Sequence, residues 1–152
     1  MIHVGFTGTR HGMTEAQKSA VFNLVSDLAH VDNLTTHHGD CIGADAEFHN
    51  ISCLLATRLV VHPPVDESHR AFVKDAHEWR AACTHFARNR AIVLESTVMI
   101  ATPYEAKRQM RGGTWYTISR AMLSGKPLAL VLPTGGVVYD GGAWPRPVWK
   151  RT

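Results

Sequence analysis

The chain of 152 residues is long enough to bury a hydrophobic core as a single domain. Its composition, 45% hydrophobic and 19% charged, is that of a globular protein, and no apolar run approaches the roughly 18 residues of a membrane span. The net charge of +3 suits an anionic ligand but is too small and too scattered to predict a DNA-binding protein.

The cysteines indicate a reducing environment. There are three of them, an odd number, and none has the CxxC spacing of a metal or redox motif. The chain begins directly with a strand-like segment, which predicts no signal peptide. We therefore expect a cytoplasmic protein with no membrane partner.

The first predicted strand covers residues 2–6, and a loop rich in glycine and threonine follows it. Thr14 and Gln17 have the spacing of a capping box, which predicts that a helix begins near Glu15. Apolar residues then recur at helical spacing until the helix ends near His30.

The loop between this strand and this helix carries the first candidate ligand-binding residues, Gly8, Thr9 and Arg10. The order of the elements puts the loop at the carboxyl end of the first strand. Open α/β sheets bind their ligands at that edge. The loop does not have the GxGxxG pattern, so alone it is a weak indicator.

The second predicted strand covers residues 33–38, and a turn bracketed by Gly39 and Gly43 follows it. Small residues after the turn let a helix begin close to the strand ends. Asp45 near that helix start would either stabilise the helix N-terminus or accept a ribose hydroxyl. The third predicted strand covers residues 58–62.

Residues 65–86 are polar and irregular. They predict a long loop with a helical turn or two, which is either a flap over the ligand edge or a mobile surface excursion. The next helix is predicted to open at Arg88 and Asn89, and the fourth strand covers residues 97–102. Arg88 or Arg90 could face the ligand edge as a bidentate partner of phosphate, the alternative being a solvated charged turn.

A glycine turn, a helix, a glycine stop and a buried strand follow one another in residues 111–133. Gly112 and Gly113 would let the backbone approach a ligand, and a helix start presents unpaired N–H groups. Thr114 and Thr117 add hydroxyls on the same turn. These features predict a phosphate site, the alternative being a solvated helix start without a ligand.

Gly125 ends this helix, and residues 128–132 form the fifth predicted strand. Five strands separated by helical segments predict an α/β fold: a Rossmann-like, doubly wound, mostly parallel five-stranded sheet with helices on both faces. We place a ligand-binding domain at residues 1–134. Residues 135–152 are then a tail rich in glycine, proline and tryptophan, without a helix signal.

A metal site is not predicted. His37, His38 and His62 lie at the predicted sheet edge, but His37 and His38 are adjacent and would point to opposite faces of a strand. With no cysteine or carboxylate at ligand spacing, these histidines are better interpreted as polar lining of the pocket. We expect neither a metal nor another cofactor.

Four segments together resemble the SLOG superfamily, which joins DprA-like, YpsA-like and LOG-like (lonely-guy) domains. They are residues 5–10 (GFTGTR), 38–45 (HGDCIGAD), 88–90 (RNR) and 112–117 (GGTWYT). The chain is most similar to small stand-alone bacterial or phage-borne members over residues 1–134. The resemblance implies a Rossmann-like domain that binds nucleotides or nucleotide-derived ligands. It assigns ligand contacts to Gly8, Thr9, Arg10, Gly39, Asp40, Gly43, Asp45, Arg88, Asn89, Gly112, Gly113, Thr114 and Thr117.

One departure from the family affects the predicted activity. LOG-type hydrolases have a PGGxGTxxE pattern with a catalytic glutamate, but Tyr116 or Thr117 stands at that position, and Arg111 replaces the proline. An oxocarbenium-like transition state needs a carboxylate nearby. The candidates that could supply it from other loops are Asp40, Asp45 and Glu105.

We therefore favour a protein that binds a small nucleotide or a nucleotide-derived, ADP-ribose-like signal, as a sensor or a sequestering protein. The alternative is a nucleotide N-glycosidase or phosphoribohydrolase of LOG-like type. DprA-like binding of single-stranded nucleic acid is a third hypothesis, which the modest charge disfavours. Members of the family are frequently oligomers, so we expect a homo-oligomer. Arg88→Ala is expected to weaken ligand binding at least about tenfold with little loss of stability.

Overall fold

The computed structural model describes residues 1–151, which form seven strands, four α-helices and one short 3-10 helix. The strands are β1 (Ile2–Gly8), β2 (Leu34–His38), β3 (Arg58–Val61), β4 (Glu78–Trp79), β5 (Val98–Thr102), β6 (Leu128–Val131) and β7 (Val137–Asp140). The helices are α1 (Glu15–Ala29), α2 (Ala44–Leu54), α3 (His85–Glu95) and α4 (Gly113–Ser124), and the 3-10 helix is Val148–Lys150.

All seven strands belong to one sheet, in the order β4-β3-β2-β1-β5-β6-β7. Neighbouring strands are parallel except for the antiparallel pair β6 and β7. The chain builds outward from β1 to β4 on one side, then returns to begin β5 on the other side. Such a reversal opens a crevice between the carboxyl ends of the two central strands, here β1 and β5.

The helices cover both faces of the sheet, as predicted. On one face, α1 and α2 pack on β1, where the rings of Phe6 and Phe48 stack with centroids 4.2 Å apart. On the other face, α3 and α4 bury Ile92 and Ile118 against Met99 of β5. Because helices cover the central strands on both sides, the carboxyl edge of the sheet is the natural place for a ligand.

The end signals read from the sequence are confirmed for two helices. The side chain of Thr14 accepts a hydrogen bond from the backbone N–H of Gln17, and the Gln17 side chain accepts one from the N–H of Thr14, each at 3.0 Å. Gly125 ends α4 with a φ of +73°, the left-handed conformation that favours glycine.

The predicted number of strands is wrong: the sheet has seven strands, not five. The five predicted strands are all present, with ends that differ by one or two residues. The two additional strands lie at the edges of the sheet. One is β4, inside the segment predicted to be a loop with helical turns, and the other is β7, inside the predicted tail.

Two further boundaries differ from the prediction. Helix α3 begins at His85 rather than at Arg88, because Thr84 caps it and accepts a hydrogen bond from the N–H of Ala87. Residues 65–84 contain no helix. They contain strand β4, which pairs with β3, and isolated bridges from Arg70 to Cys41 and from Cys83 to Pro64.

Both edge strands are short. Strand β4 has two residues and is flanked by ion pairs from Glu78 to Arg58 and Arg80. Strand β7 has four residues and ends in a turn at Gly141, whose φ is +74°. Within residues 1–151, no helix combines the length and the apolar character that crossing a membrane requires.

Candidate functional site

A cavity of about 760 Å³ opens at the carboxyl ends of β1 and β5, at the point where the chain reverses direction. Its walls come from the end of β1, from the loops after β1, β2 and β5, from His69, from the N-terminal part of α3 and from the N-terminus of α4. The volume lies in the range of small-molecule sites in proteins.

The cavity brings together most of the residues that the sequence singled out. Its lining includes Gly8, Thr9, Arg10, Gly39, Asp45, Arg88, Asn89, Glu105, Gly112, Gly113 and Thr114. Three predicted ligand contacts, Asp40, Gly43 and Thr117, do not line it. The contacts of these three residues, described below, give each a structural role instead.

The loop after β1 is held by backbone hydrogen bonds. Thr9 is buried, its N–H donates to the carbonyl of Thr102 at 3.0 Å, and its hydroxyl accepts from the N–H of His11 at 3.1 Å. A Cβ at Gly8 would stand 2.3 Å from the hydroxyl oxygen of Thr102. Arg10 is exposed at the cavity and meets Nε2 of His69 at 3.2 Å. Arg10 is therefore the cation of this loop that is accessible to a ligand.

The turn after β2 positions Asp45 in the cavity wall. Gly43, at φ +84°, caps α2, and a Cβ there would lie 2.3 Å from the carbonyl oxygen of Arg10. The carboxylate of Asp45 accepts a hydrogen bond from the N–H of Cys41 at 3.1 Å. Burial raises the pKa of Asp45 from 3.8 to about 6, and the nearby Arg88 guanidinium partly opposes that rise in pKa.

Arg88 is only 5% exposed and forms the floor of the cavity beside this turn. Its guanidinium donates to the carbonyl of Gly39 at 2.5 Å and to Oδ1 of Asn89 at 2.6 Å, and it meets Nδ1 of His85 at 3.1 Å. A Cβ at Gly39 would stand 2.5 Å from the guanidinium, so only glycine fits there. Because Arg88→Ala would remove a buried, hydrogen-bonded group, the structure leads us to expect a loss of stability from this substitution in addition to weaker binding.

Asp40 points away from the cavity, contrary to the prediction of a ligand contact. It is fully buried, and its carboxylate accepts from Nε of Arg70 at 2.7 Å and from the N–H of Val73 at 3.0 Å. Its own carbonyl accepts from the N–H of Ala71 at 2.8 Å. Asp40 thus holds residues 70–73 against the sheet edge.

Two buried histidines, His38 and His49, also attach this segment to the sheet by hydrogen bonds. The N–H of Asp40 donates to Nδ1 of His38 at 3.0 Å, so the proton of the neutral His38 ring is on Nε2. That nitrogen meets Nδ1 of His49 at 2.9 Å, and Nε2 of His49 meets the carbonyl of Lys74 at 2.5 Å. Residues 70–74 are therefore held against the edge of the sheet by hydrogen bonds, next to His69, which lines the cavity.

The N-terminus of α4 is open by contrast. Gly112 precedes the helix at φ +117°, and no side chain caps the first turn. No atom lies within 4 Å of the position that a Cβ would take at Gly112 or Gly113. The hydroxyl of Thr117 donates to the carbonyl of Gly113 at 2.9 Å inside the helix, whereas half-buried Thr114 lines the cavity. The first-turn N–H groups thus face the cavity without a side-chain partner.

Sequence reasoning missed the aromatic rim of the cavity. The rings of His11 and Tyr104 lie 4.6 Å apart, and those of Phe86 and Tyr116 lie 4.8 Å apart. All four residues line the cavity, and Tyr104 and Phe86 are more than half exposed. His11 and Tyr116 lie close to glycines in the sequence, which was a signal for half of this rim, whereas Phe86 and Tyr104 carry no such signal.

A second polar cluster lies outside the cavity. Nδ1 of His37 is 3.0 Å from Nε2 of His62, and Nδ1 of His62 is 3.6 Å from Glu95. Burial lowers the pKa of His37 to about 3 and that of His62 to about 4, which keeps both rings neutral. The interpretation of His37, His38 and His62 as pocket lining is wrong, since none of them lines the cavity. The carboxylate of Glu95, the last residue of α3, lies beside His37 and His62.

Comparisons with known proteins support the fold. Neither a protein-family model nor a curated protein sequence matches the chain. A molybdenum cofactor binding protein from the phototrophic bacterium Rippkaea orientalis has a similar structure, with a TM-score of 0.63 and 18% identity over 86% of this chain and 76% of that one. The structural-genomics target TM1055 has a TM-score of 0.63 and 16% identity over 90% of this chain and 77% of that one. The molybdenum cofactor carrier protein of Chlamydomonas reinhardtii has a TM-score of 0.60 and 17% identity over 85% of this chain and 75% of that one. At these identities the similarity shows a shared α/β, Rossmann-like fold.

Proposed function

We propose that the chain binds a small phosphate-bearing ligand, a nucleotide or nucleotide-derived signal such as ADP-ribose, as a sensor or sequestering protein of the SLOG type. The observation that carries the proposal is the open N-terminus of α4, where Gly112 and Gly113 leave free space beside uncapped N–H groups. These groups border the cavity at the crevice of the sheet.

The chemistry of this helix start suits a phosphate. The first N–H groups of a helix have no partner within the helix, and the helix dipole adds a positive potential there. Arg10 lies in the same cavity, and Arg111 stands exposed at its mouth. Each charge-assisted hydrogen bond contributes about 1.5–3 kcal/mol, so several together support roughly micromolar binding.

The aromatic rim suits the remainder of such a ligand. The paired rings of His11 with Tyr104 and of Phe86 with Tyr116 offer flat surfaces at the cavity mouth. A nucleobase stacked on such a ring gains about 1–3 kcal/mol. A molecule with a phosphate at one end and a heterocycle at the other matches both parts of the cavity.

Two of the similar structures are described as molybdenum cofactor binding and carrier proteins. The molybdenum cofactor is therefore a second candidate ligand for the same cavity. It belongs in the same binding panel as the nucleotides.

An enzymatic function is the alternative, and Asp45 favours it. A buried carboxyl group in a cavity, with its pKa raised to about 6, has the character of a general acid or base. The reaction would be cleavage of the N-glycosidic bond of a nucleotide, with Glu105 as the second carboxylate in the cavity. Asp40 drops out of this mechanism because Arg70 and Val73 occupy its carboxylate.

Mass spectrometry distinguishes these functions. The full chain is incubated with nucleoside monophosphates, NAD, ADP-ribose and molybdenum cofactor, and the fate and retention of each compound are followed. Retention of an unchanged compound at one per chain supports a binding protein. Release of free base, abolished by Asp45→Asn, supports a hydrolase. Retention of none of them contradicts the phosphate site, and binding of single-stranded DNA that weakens steeply with salt would support the nucleic-acid hypothesis instead.

Two exposed arginines provide a matched test of the site. Arg10 lines the cavity, whereas Arg90 lies on the exposed side of α3 and does not line it. We expect Arg10→Ala to weaken binding of the retained compound at least about tenfold and Arg90→Ala to leave it unchanged. Equal effects of the two substitutions in calorimetry would contradict the proposed location.

A further inference from the structure

The cluster of His37, His62 and Glu95 lies on the face of the sheet that α3 covers. His37 is in β2, His62 follows β3, and Glu95 is the last residue of α3. One ligand atom from each of the three side chains lies within 4.8 Å of the other two. Among residues 1–151, no other set of three histidine, cysteine, aspartate or glutamate side chains converges in this way.

The three side chains are near the spacing of a metal coordination shell. Ligand atoms at about 2.0–2.1 Å from a tetrahedral Zn²⁺ ion are about 3.4 Å from one another. Nδ1 of His37 is 3.0 Å from Nε2 of His62, and Glu95 is 3.6 Å from the other ring nitrogen of His62, Nδ1. Because one ligand atom from each side chain already lies within 4.8 Å of the other two, an ion requires side-chain rotations that aim a single nitrogen of His62 at both partners.

We propose that His37, His62 and Glu95 bind one Zn²⁺ ion, with a water molecule in the fourth position. Two imidazoles and one carboxylate form a ligand set that zinc proteins use. Nitrogen ligands also argue against Mg²⁺ and Ca²⁺, which prefer oxygen ligands throughout.

His3 orients one of these ligands, as outer side chains do in metal sites. Nδ1 of His3 is 2.9 Å from Nε2 of His37, which leaves Nδ1 of His37 directed at His62. Arg80 forms an ion pair with the carboxylate of Glu95 at 2.6 and 3.0 Å, so a bound ion competes with Arg80 for this carboxylate. Glu95 is about one-third exposed and gives an ion a route into an otherwise buried cluster.

The zinc site is separate from the ligand cavity. Arg88, in the cavity wall, precedes Glu95 by two helical turns, about 10 Å along α3. An ion at this cluster would join the C-terminal end of α3 to β2 and β3. Such an ion would hold the helix whose other end lines the cavity, and the water molecule would leave its fourth position open to exchange.

Zinc binding is tested on the full chain by calorimetry and equilibrium dialysis with Zn²⁺ alone. Tetrahedral coordination is tested by the visible absorption of bound Co²⁺. We expect one Zn²⁺ per chain, an increase in melting temperature with Zn²⁺, and affinity at least about tenfold weaker in Glu95→Gln and His62→Gln. His30→Gln removes an exposed histidine outside the cluster and should leave the affinity unchanged.

Two matched substitutions distinguish a role of Glu95 as a metal ligand from a role in an ion pair alone. Glu95→Gln and Arg80→Met both break the ion pair between α3 and the segment after β4. Only the first removes a metal ligand, whereas the second removes a positive charge that repels the ion. We expect weaker Zn²⁺ binding in Glu95→Gln and equal or tighter binding in Arg80→Met, with circular dichroism confirming that both are folded. No stoichiometric binding by the unmodified chain, or equal losses in the two variants, would overturn the proposal.

Discussion

Two glycine-containing turns at the same edge of the sheet differ in how tightly they are packed. In the turn before α2, a Cβ at Gly39 would collide with the Arg88 guanidinium, and a Cβ at Gly43 would collide with the backbone of Arg10. In the turn before α4, a Cβ at Gly112 or Gly113 would meet no atom within 4 Å. In the first turn, neighbouring atoms leave room for glycine alone. In the second turn, the glycines leave space that a ligand can use.

This difference separates a structural part and a ligand-binding part of the same sheet edge. On the side of β2, the hydrogen bonds of Asp40, His38 and Arg88 fill the edge, while the side of β5 presents an open helix start. Substitutions on the first side should therefore change stability, and substitutions on the second side should change binding alone.

The largest effect is expected for Gly43→Ala. The backbone at φ +84° is strained for any residue with a Cβ, and the new methyl group would lie 2.3 Å from the Arg10 carbonyl oxygen. We expect a loss of about 4 kcal/mol in the free energy of unfolding, measured by urea titration. Gly136→Ala is the control, because its Cβ would meet only the Thr134 hydroxyl at an ordinary 3.5 Å. Similar losses in the two variants would show that Gly43 is not specially constrained.

Asp40→Asn should have the next largest effect. It removes the charge that binds Arg70 and leaves a buried amide beside the Val73 N–H, so we expect a loss of about 3 kcal/mol. Hydrogen exchange should accelerate in residues 70–74. Asp75→Asn, at an exposed position in the same segment, should change neither quantity. Normal stability with lost ligand binding would instead return Asp40 to the ligand site.

Asp45→Asn should stabilise the protein at neutral pH but not at acidic pH. Because burial raises the pKa of Asp45 to about 6, the folded state favours the protonated form. The stability that this protonation provides is fully present below the ordinary pKa of 3.8 and is lost as the pH rises through about 6. Asparagine keeps an oxygen for the Cys41 N–H but has no charge to bury.

We therefore expect Asp45→Asn to be roughly 2–3 kcal/mol more stable than the unmodified chain at about pH 7.5 and about equally stable at about pH 3. Urea titrations at the two pH values measure the difference. A variant that is less stable at both values would show that ionised Asp45 is stabilised by its neighbours.

Gly113→Ala should change stability least, by no more than about 0.5 kcal/mol, because alanine is a good helix former and meets no neighbour there. Binding of the retained ligand should nevertheless fall at least about tenfold, since a methyl group would block approach to the helix N-terminus. Melting curves and calorimetry on one preparation measure both quantities. Unchanged binding would contradict the comparison between the two turns.

Local signals in the sequence were sufficient to predict the central strands and the ends of two helices. The Thr14 and Gln17 capping box and the stop at Gly125 depend on residues within one or two turns, so they can be read directly. The glycine turns can also be read directly, because each follows its strand in the sequence whatever the order of the strands in the sheet. The α/β fold and the location of the cavity at its carboxyl edge follow from these local patterns.

Features that depend on distant partners could not be read in this way. Asp40 was assigned to the ligand by the family resemblance, but its carboxylate binds Arg70, which is 30 residues away in the sequence. Glu95 reaches His62 only because α3 ends beside β3. Strand β4 is two residues in a polar segment, and its pairing with β3 alone makes it a strand. Strand β7, a β-branched and aromatic run between glycines, did carry a hairpin signal that was missed.

The short edge strands restrict how copies of this chain can meet. An exposed sheet edge invites another strand to add to it, and proteins suppress this with short or charged edges. Strand β4 offers two residues beside Arg58, Glu78 and Arg80, and β7 turns away at Gly141 after four. The sheet is therefore protected from growth by strand addition, and self-association through the described residues would proceed through the helical faces.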